Sequence, residues 1–437
     1  MSDRFRPVPQ GRLGRLATLG QLAGGVASGI MGEGLRRLAQ GERPHLSDLL
    51  LTPSNALRVT EQLSRMRGAA MKLGQMLSMD AGDLLPPELS LILSQLRESA
   101  HFMPASQLQQ ALSSAWGPDW RSHFSRFDTT PIAAASIGQV HRAVLVSGRE
   151  LAVKVQYPGI AASINSDIDN VATLLRMSGL VPAGLDIAPL LAEAKRQLHE
   201  EADYLREAEQ MRRFHALLAD DPRFLVPQPV DALLRPTVLP MDFLTGTPIE
   251  TLASAAETDR TSAMTALLDL TLRELFDFGL MQTDPNFANY RFQRETGRLV
   301  LLDFGAARPV SPETASRYRT LVTAGLSGEM PAVRDALLAM GFLSAAQMAR
   351  HGRDIEAMIA MVLTQLHLSP QGLFDFSDRT LVARLQAKSA PLIADRTTWR
   401  LPPTDTIFIQ RKISGMALFA RTLKVRLPIM EMARRFG

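Results

Sequence analysis

At 437 residues the chain can hold roughly two to four domains, and with 46% apolar and 21% charged residues it is composed like a globular protein with a large core. Its 29 Gly and 27 Pro follow no period and it has no Cys, which excludes disorder, collagen-like repetition and a disulfide scaffold, together with thiolate catalysis and cysteine-held zinc or iron–sulfur. A net charge of +4 makes no case for nucleic acid, but residues 1–40 hold six Arg against Asp3 and Glu33, and residues 421–437 hold five Arg and Lys against Glu431. Two basic ends could face an anionic surface; solvated charge explains them equally well.

In chain order, Leu16–Gly32 comes first, uncharged and carrying the spacings Gly20–Gly24 and Gly25–Gly29. It is short of the roughly 20 apolar residues of a span, so an interfacial or packed segment is expected. Leu63, Met66, Ala70, Leu73 and Leu77 recur at steps of three and four and predict a helix within 53–100, with a second one opening at Pro86-Pro87. After Pro131 the period becomes two. His141–Val146 and Glu150–Gln156 read as a hairpin about Ser147-Gly148, with Leu151, Val153 and Val155 on one face and Ala152 and Lys154 on the other. Asp186 to about Leu217 is expected as one long helix, Phe224–Val230 and Thr237–Phe243 as short strands, and Thr261–Phe278 as a helix closed by Gly279. Tyr290–Phe292 and Leu299–Leu302 flank a turn at Glu295–Gly297, and residues 311–437 return to helix.

Three separated features have the order and chemistry of a phosphoryl-transfer site: Lys154 on a strand, the loop Gln282–Asn289 with Asp284 and Asn289, and Asp303-Phe304-Gly305 after an apolar strand. Each alone is weak, since a strand lysine is usually a surface residue; together they match the signature of a protein kinase. Lys154 would hold ATP phosphates, Asp303 and the Asn289 amide oxygen would hold Mg²⁺, and Asp284 would act as base or orienting group. Glu207 is chosen as the partner of Lys154, because Asp203 and Glu207 are four apart on the expected long helix. Other residues depart from ordinary kinases. Ala133-Ala-Ala-Ser-Ile-Gly-Gln-Val140 stands where a glycine-rich loop should be, His-Arg is missing before Asp284, and no A-P-E follows Gly305.

Met71–Gln75, Leu85–Leu89, Ala133–His141, Val153–Pro158, Glu201–Tyr204 and Gln282–Asn286 resemble the UbiB/ADCK group of atypical kinase-like proteins, over about residues 7–425. The resemblance implies ATP and Mg²⁺ binding, ATPase activity without evident protein-kinase activity, membrane association and support of ubiquinone (coenzyme Q) biosynthesis. It places Lys72 and Gln75 on a K-x-G-Q motif, in a helix lying where a protein substrate would dock, and Glu201 and Asp203 on the E-x-D partner of that motif. The nucleotide contacts it implies are Ala133, Ala134, Ala135, Ser136, Ala152, Lys154, Glu207 and Met241, with Lys72 acting beside Asp284 and Lys154. Bacterial members named for ubiquinone synthesis often end in two transmembrane helices, whereas Arg421–Gly437 is too short and too basic for a span.

The fold expected is α+β: a two-lobed protein-kinase-like fold with a helical N-terminal extension. Its segments are 1–40, a basic Gly/Ala-rich stretch with membrane contact; 41–125, the K-x-G-Q extension; 126–244, an N-lobe; and 245–437, a mostly helical C-lobe. The expected partners are nucleotide, lipid or quinone-pathway intermediates and their enzymes, and a membrane surface touched peripherally, with no nucleic acid and with a homodimer left open. The expected location is cytoplasmic, at a bacterial inner membrane, with mitochondria disfavoured because the resemblance begins at residue 7. A true protein or small-molecule kinase and a non-catalytic ATP-binding scaffold are the alternatives.

Overall fold

The computed structural model describes residues 102–177, 188–395 and 404–437. The basic N-terminal stretch, the 53–100 helices and the residues Lys72 and Gln75 lie outside them. The described residues fall into two compact units, one within 102–212 together with 227–243, the other of 213–226 together with those described within 244–437.

The first unit is built on an antiparallel sheet of β1 (Phe124–Phe127), β2 (Ala133–Ala134), β3 (Gly138–Leu145), β4 (Glu150–Gln156) and, further along the chain, a strand at Val238–Asp242; the order is β1-β3-β4 and then that last strand, with β2 on β3. The β3–β4 turn has Gly148 at φ +88°, where a side chain would be strained, and its N–H donates to the Leu145 carbonyl at 2.9 Å. Alternation along β4 puts Leu151, Val153 and Val155, all fully buried, on one face of the sheet. Beside the sheet, α1 (Ala105–Trp116) anchors through aromatic rings: Trp120 meets Phe127 edge-on at 5.0 Å, Trp116 lies 5.5 Å from Phe124, and the Trp116 indole N–H donates to the Leu233 carbonyl at 2.8 Å.

Three helices follow β4: α2 (Ile160–Met177), α3 (Ala188–Glu201) and α4 (Tyr204–Leu217). The single long helix expected over 186–217 is therefore two. Asp203 is the reason: its carboxylate accepts the Arg206 N–H at 2.9 Å, capping a new helix rather than continuing the old one. Asp203 and Glu207 are consequently not a face pair within one helix.

The second unit holds β5 (Phe224–Leu225), β7 (Thr247–Pro248), β9 (Tyr290–Gln293) and β10 (Arg298–Leu301) in the order β5-β10-β9-β7, β6 being the Val238–Asp242 strand above; a separate ribbon pairs β8 (Leu280–Gln282) with β11 (Ala307–Pro309). The β9–β10 pair is antiparallel with Tyr290 opposite Leu301, so the loop before β9 and the segment after β10 emerge side by side. Helix α5 (Glu257–Phe276) starts four residues before the expected Thr261 and ends two short of Phe278, with Asp277 as its C-cap; Gly279, expected just past the end, lies at φ +58° two residues beyond that cap. After the ribbon come α6 (Pro312–Ser327), α7 (Met330–Ala339), α8 (Ala345–His367), α9 (Thr380–Ala394), α10 (Thr404–Thr422) and α11 (Ile429–Arg434). Their core joins Leu275, Met281, Val310, Tyr318, Met340, Phe408 and Ile409. An ion-pair cluster sits at one side of α5: Arg223 reaches Asp221 at 2.7 Å and Asp269 at 2.6 Å, Arg273 reaches Asp221 at 2.6 Å, and Arg435 reaches Asp269 at 2.7 Å. Arg435 and Arg426, which bonds Glu257 at 3.3 Å, thus spend part of the basic C-terminal charge inside the unit.

Candidate functional site

In the first unit the alternation that buries Val153 and Val155 turns Lys154 to the opposite face. That face is covered too: the Lys154 side chain is 9% exposed and Glu207, in the first turn of α4, is 0% exposed. Lys154 Nζ donates to both Glu207 carboxylate oxygens, at 2.8 and 2.9 Å, and lies 5.2 Å from the Tyr204 ring centroid. The Asp203 cap fixes where α4 begins and hence where Glu207 sits, and a carboxylate there also gains from the helix dipole. A buried pair of this kind rarely adds stability over an apolar pair, whereas breaking it is costly, so its energetic effect is to hold the ammonium in one place.

The alanine-rich segment is a tight hairpin. Ala133 and Ala134 of β2 pair with Val140 and Gln139, and the Ala135 N–H donates to the Gly138 carbonyl at 2.9 Å. Gly138 is the one glycine of the segment, and its place is set by crowding: an added Cβ would stand 2.3 Å from the Val155 carbonyl oxygen and 2.9 Å from the Tyr204 hydroxyl. Ser136, at the turn, donates from Oγ to the Glu201 carboxylate at the end of α3. Glu201 therefore contacts the alanine hairpin, and Asp203 caps α4; Lys72, expected as their partner, lies outside the described residues. Ala152 of β4 is paired in register with Met241 of β6, which is buried.

In the second unit the loop Gln282–Asn289 is tied to itself by its own backbone. The Asn286 N–H donates to the Asp284 carbonyl at 2.8 Å, the Asn289 N–H to the Asn286 carbonyl at 3.0 Å, and the Asn289 side-chain amide to the Asp284 carbonyl at 3.2 Å. Since Nδ2 is used in this way, the Asn289 Oδ1 is the atom left to accept or coordinate. The Leu302 N–H donates to the Asn289 carbonyl at 3.0 Å, bringing Asp303 beside Asn289, and the Asp303 carboxylate accepts the Gly305 N–H at 2.9 Å. Asn289 and Asp303 line one small pocket with Glu274, Gln282 and Tyr290. Phe304 is buried against Phe214, ring centroids 5.0 Å apart, which fixes the residue next to Asp303. Asp303 and Asn289 bring hard oxygen atoms together, a donor set that suits Mg²⁺ and not a soft metal.

One feature is beyond the reach of sequence patterns. Lys412 of α10, 1% exposed, bonds Tyr290 Oη at 3.0 Å and stands 3.4 Å from the fully buried Glu274. Burial pushes the Glu274 carboxyl up, against the pull of Lys412; burial also opposes the Lys412 ammonium, but Glu274 and Tyr290 more than offset it and hold its pKa above the ordinary lysine value. A lysine amid Ile409, Ile413 and Met416 hints at such a role, but its partners cannot be read from spacing.

A model of the ABC1 atypical kinase-like domain matches residues 95–337. The chain is 36% identical over 94% of its length to the atypical kinase COQ8, mitochondrial, of Saccharomyces cerevisiae, of which it covers 82%. It is 37% identical over 99% of its length to the atypical kinase COQ8B, mitochondrial, of Rattus norvegicus, again covering 82%. Among solved structures, the complex of Rv3197 with erythromycin from Mycobacterium tuberculosis matches at TM-score 0.60 and 26% identity, over 88% of this chain and 95% of that one. These relatives correct the expected location at a bacterial inner membrane with mitochondria disfavoured, because proteins 35–37% identical over 94–99% of this chain are named mitochondrial. The expectation leaned on the few residues ahead of residue 7, and a targeting leader is an address separate from the fold. The matched domain and the extent of these identities establish that the chain belongs to the ABC1 atypical kinase-like family, the UbiB/ADCK group.

Proposed function

We propose that the protein binds ATP with Mg²⁺ and hydrolyses it in support of ubiquinone biosynthesis, acting on lipid or quinone intermediates or their enzymes at a membrane surface. The observation that carries this reading is the Lys154–Glu207 pair, a lysine held rigid by a fully buried carboxylate on the strand where a kinase fold presents a cation to phosphates. In the second unit, Asp303 and the Asn289 amide oxygen would hold Mg²⁺, which supplies charge neutralisation at the phosphates when bound. Asp284 would orient the attacking water. Lys72 and Gln75 would limit access of a protein acceptor, which favours hydrolysis over protein phosphorylation. The alanine hairpin supports the same reading: Ala133, Ala134 and Ala135 deny the backbone the freedom of a glycine-rich cover. The pathway assignment draws on relatives named COQ8. The membrane contact would come from the basic N-terminal stretch, whose six Arg in residues 1–40 suit an anionic surface.

Single-turnover assays with γ-labelled ATP, with and without anionic vesicles and candidate acceptor proteins, test this. Release of labelled inorganic phosphate that increases with vesicles is expected. Label appearing on an acceptor protein would establish a true kinase instead, and nucleotide binding without turnover would establish a scaffold.

A further inference from the structure

Helix α10 presents three residues to the loop Gln282–Asn289. Lys412, Gly415 and Phe419 are spaced three and four apart and so share one face. Each meets a different point of the loop or its flanks. Lys412 Nζ bonds Tyr290 Oη at 3.0 Å and Gln282 Oε1 at 3.4 Å, while Glu274, its counter-charge, also accepts the Gln282 N–H at 3.4 Å. Gly415 lies against Pro285, so closely that a Cβ there would fall 2.3 Å from both the Cβ and the Cγ of the proline. Phe419, fully buried, stacks on Phe287 with centroids 3.6 Å apart and 13° between planes, and meets Tyr290 edge-on at 5.6 Å.

The contacts bracket the two residues of interest. Gln282 precedes Asp284 by two positions and Pro285 follows it directly; Phe287 precedes Asn289 by two and Tyr290 follows it directly. Between β8 and β9, residues 284–289 are irregular backbone outside any strand ladder, so their conformation must come from their own turns and from whatever packs on them. An all-apolar helix face would supply packing alone. Here a lysine and a glutamate are buried instead, at a desolvation cost that packing does not require, and they hydrogen-bond to both ends of the loop.

The geometry points to the Lys412–Gly415–Phe419 face of α10 as a positioning element that sets how Asp284 and Asn289 are presented. These residues touch no substrate; they act through Gln282, Pro285, Phe287 and Tyr290. The inference rests on the reading of this loop as the catalytic one, but the positioning itself can be measured without turnover.

Gly415→Ala is the sharpest probe, because helix propensity and the contact predict opposite signs. Ala in place of a mid-helix Gly stabilises a helix when nothing is in the way, whereas here the methyl must push Pro285. Hydrogen exchange on the full chain should show amides of residues 283–289 exchanging about tenfold faster in Gly415→Ala, with β9 and β10 unchanged. In turnover assays kcat should fall about tenfold and the Mg²⁺ concentration for half-maximal rate should rise, with KM for ATP within about twofold. Pro285→Ala placed in the Gly415→Ala chain removes Cγ, one of the two proline atoms in the way, and should restore part of the exchange pattern and part of kcat. Lys412→Met with Glu274→Gln, which removes both buried charges at similar volume, should loosen the same amides. Unchanged exchange in Gly415→Ala would overturn the inference, as would faster exchange spread evenly over the unit with no recovery from Pro285→Ala. A wild-type chain without ATP turnover would contradict the proposed function, and the exchange data would still decide the positioning role.

Discussion

Lys154 Nζ donates to both carboxylate oxygens of Glu207, at 2.8 and 2.9 Å, and neither side chain has appreciable access to water. Glu207→Ala should destabilise the protein by about 3–5 kcal/mol in urea unfolding, because it removes the buried carboxylate that accepts two hydrogen bonds from the buried ammonium. Combining it with Lys154→Met should recover most of that loss. If the single and double variants were equally unstable, helix packing and not the ion pair would be responsible.

Gly138 predicts a second effect. A methyl at this position would meet the Val155 carbonyl oxygen at 2.3 Å, and a backbone atom in a sheet has little room to retreat. Gly138→Ala should cost about 1–3 kcal/mol through overpacking. Ala134→Gly, at an exposed position of the same hairpin, should cost less and should change nucleotide affinity by freeing the backbone. Calorimetric ATP binding and thermal unfolding of the two variants separate these effects, and equal behaviour of the two would refute the distinction.

Asp221 predicts a pH dependence. Its hydrogen bonds to Arg223, assisted by Arg273 and opposed by burial, hold the carboxyl at about 2, below the ordinary value of 3.8. A depressed carboxylate contributes stability that is complete above its unfolded pKa and is lost as pH falls through the folded one. Asp221→Asn should accordingly cost on the order of 2 kcal/mol at pH 7, and the gap to wild type should close as the pH is lowered from about 4 towards 2. A gap that stayed constant down to pH 3 would mean that shape and not charge is at work in the Arg223–Asp221–Arg273 cluster.

The elements legible from sequence are those whose information is local. The β3–β4 hairpin shows itself through strict alternation and Ser147-Gly148, and β9–β10 through two apolar runs about Glu295–Gly297. The break between α3 and α4 is hidden, because Ala202-Asp203 contains neither Gly nor Pro and the cap exists only once Asp203 meets the Arg206 N–H. The bond from Ser136 to Glu201 spans 65 positions, and those from Lys412 to Tyr290 and Gln282 span 122 and 130. Such pairings are set by tertiary packing, which periodicity does not encode. Residue types on β4 and in the 282–289 loop suggest chemistry; how α10 supports that loop is visible only in three dimensions.

The most direct measurement of the central claim is isothermal calorimetry of ATP with the full chain, with and without Mg²⁺, for wild type and Asp303→Asn. The amide keeps the shape and the bond from Gly305 but removes the charge that would hold the metal. Mg²⁺-dependent ATP binding is expected in wild type and loss of the Mg²⁺-dependent part in Asp303→Asn, with the unfolding temperature in the absence of ligand unchanged. Mg²⁺-dependent binding that was equally tight in the variant would contradict Asp303 as the metal-holding residue, and no ATP binding by the wild-type chain would contradict the account as a whole.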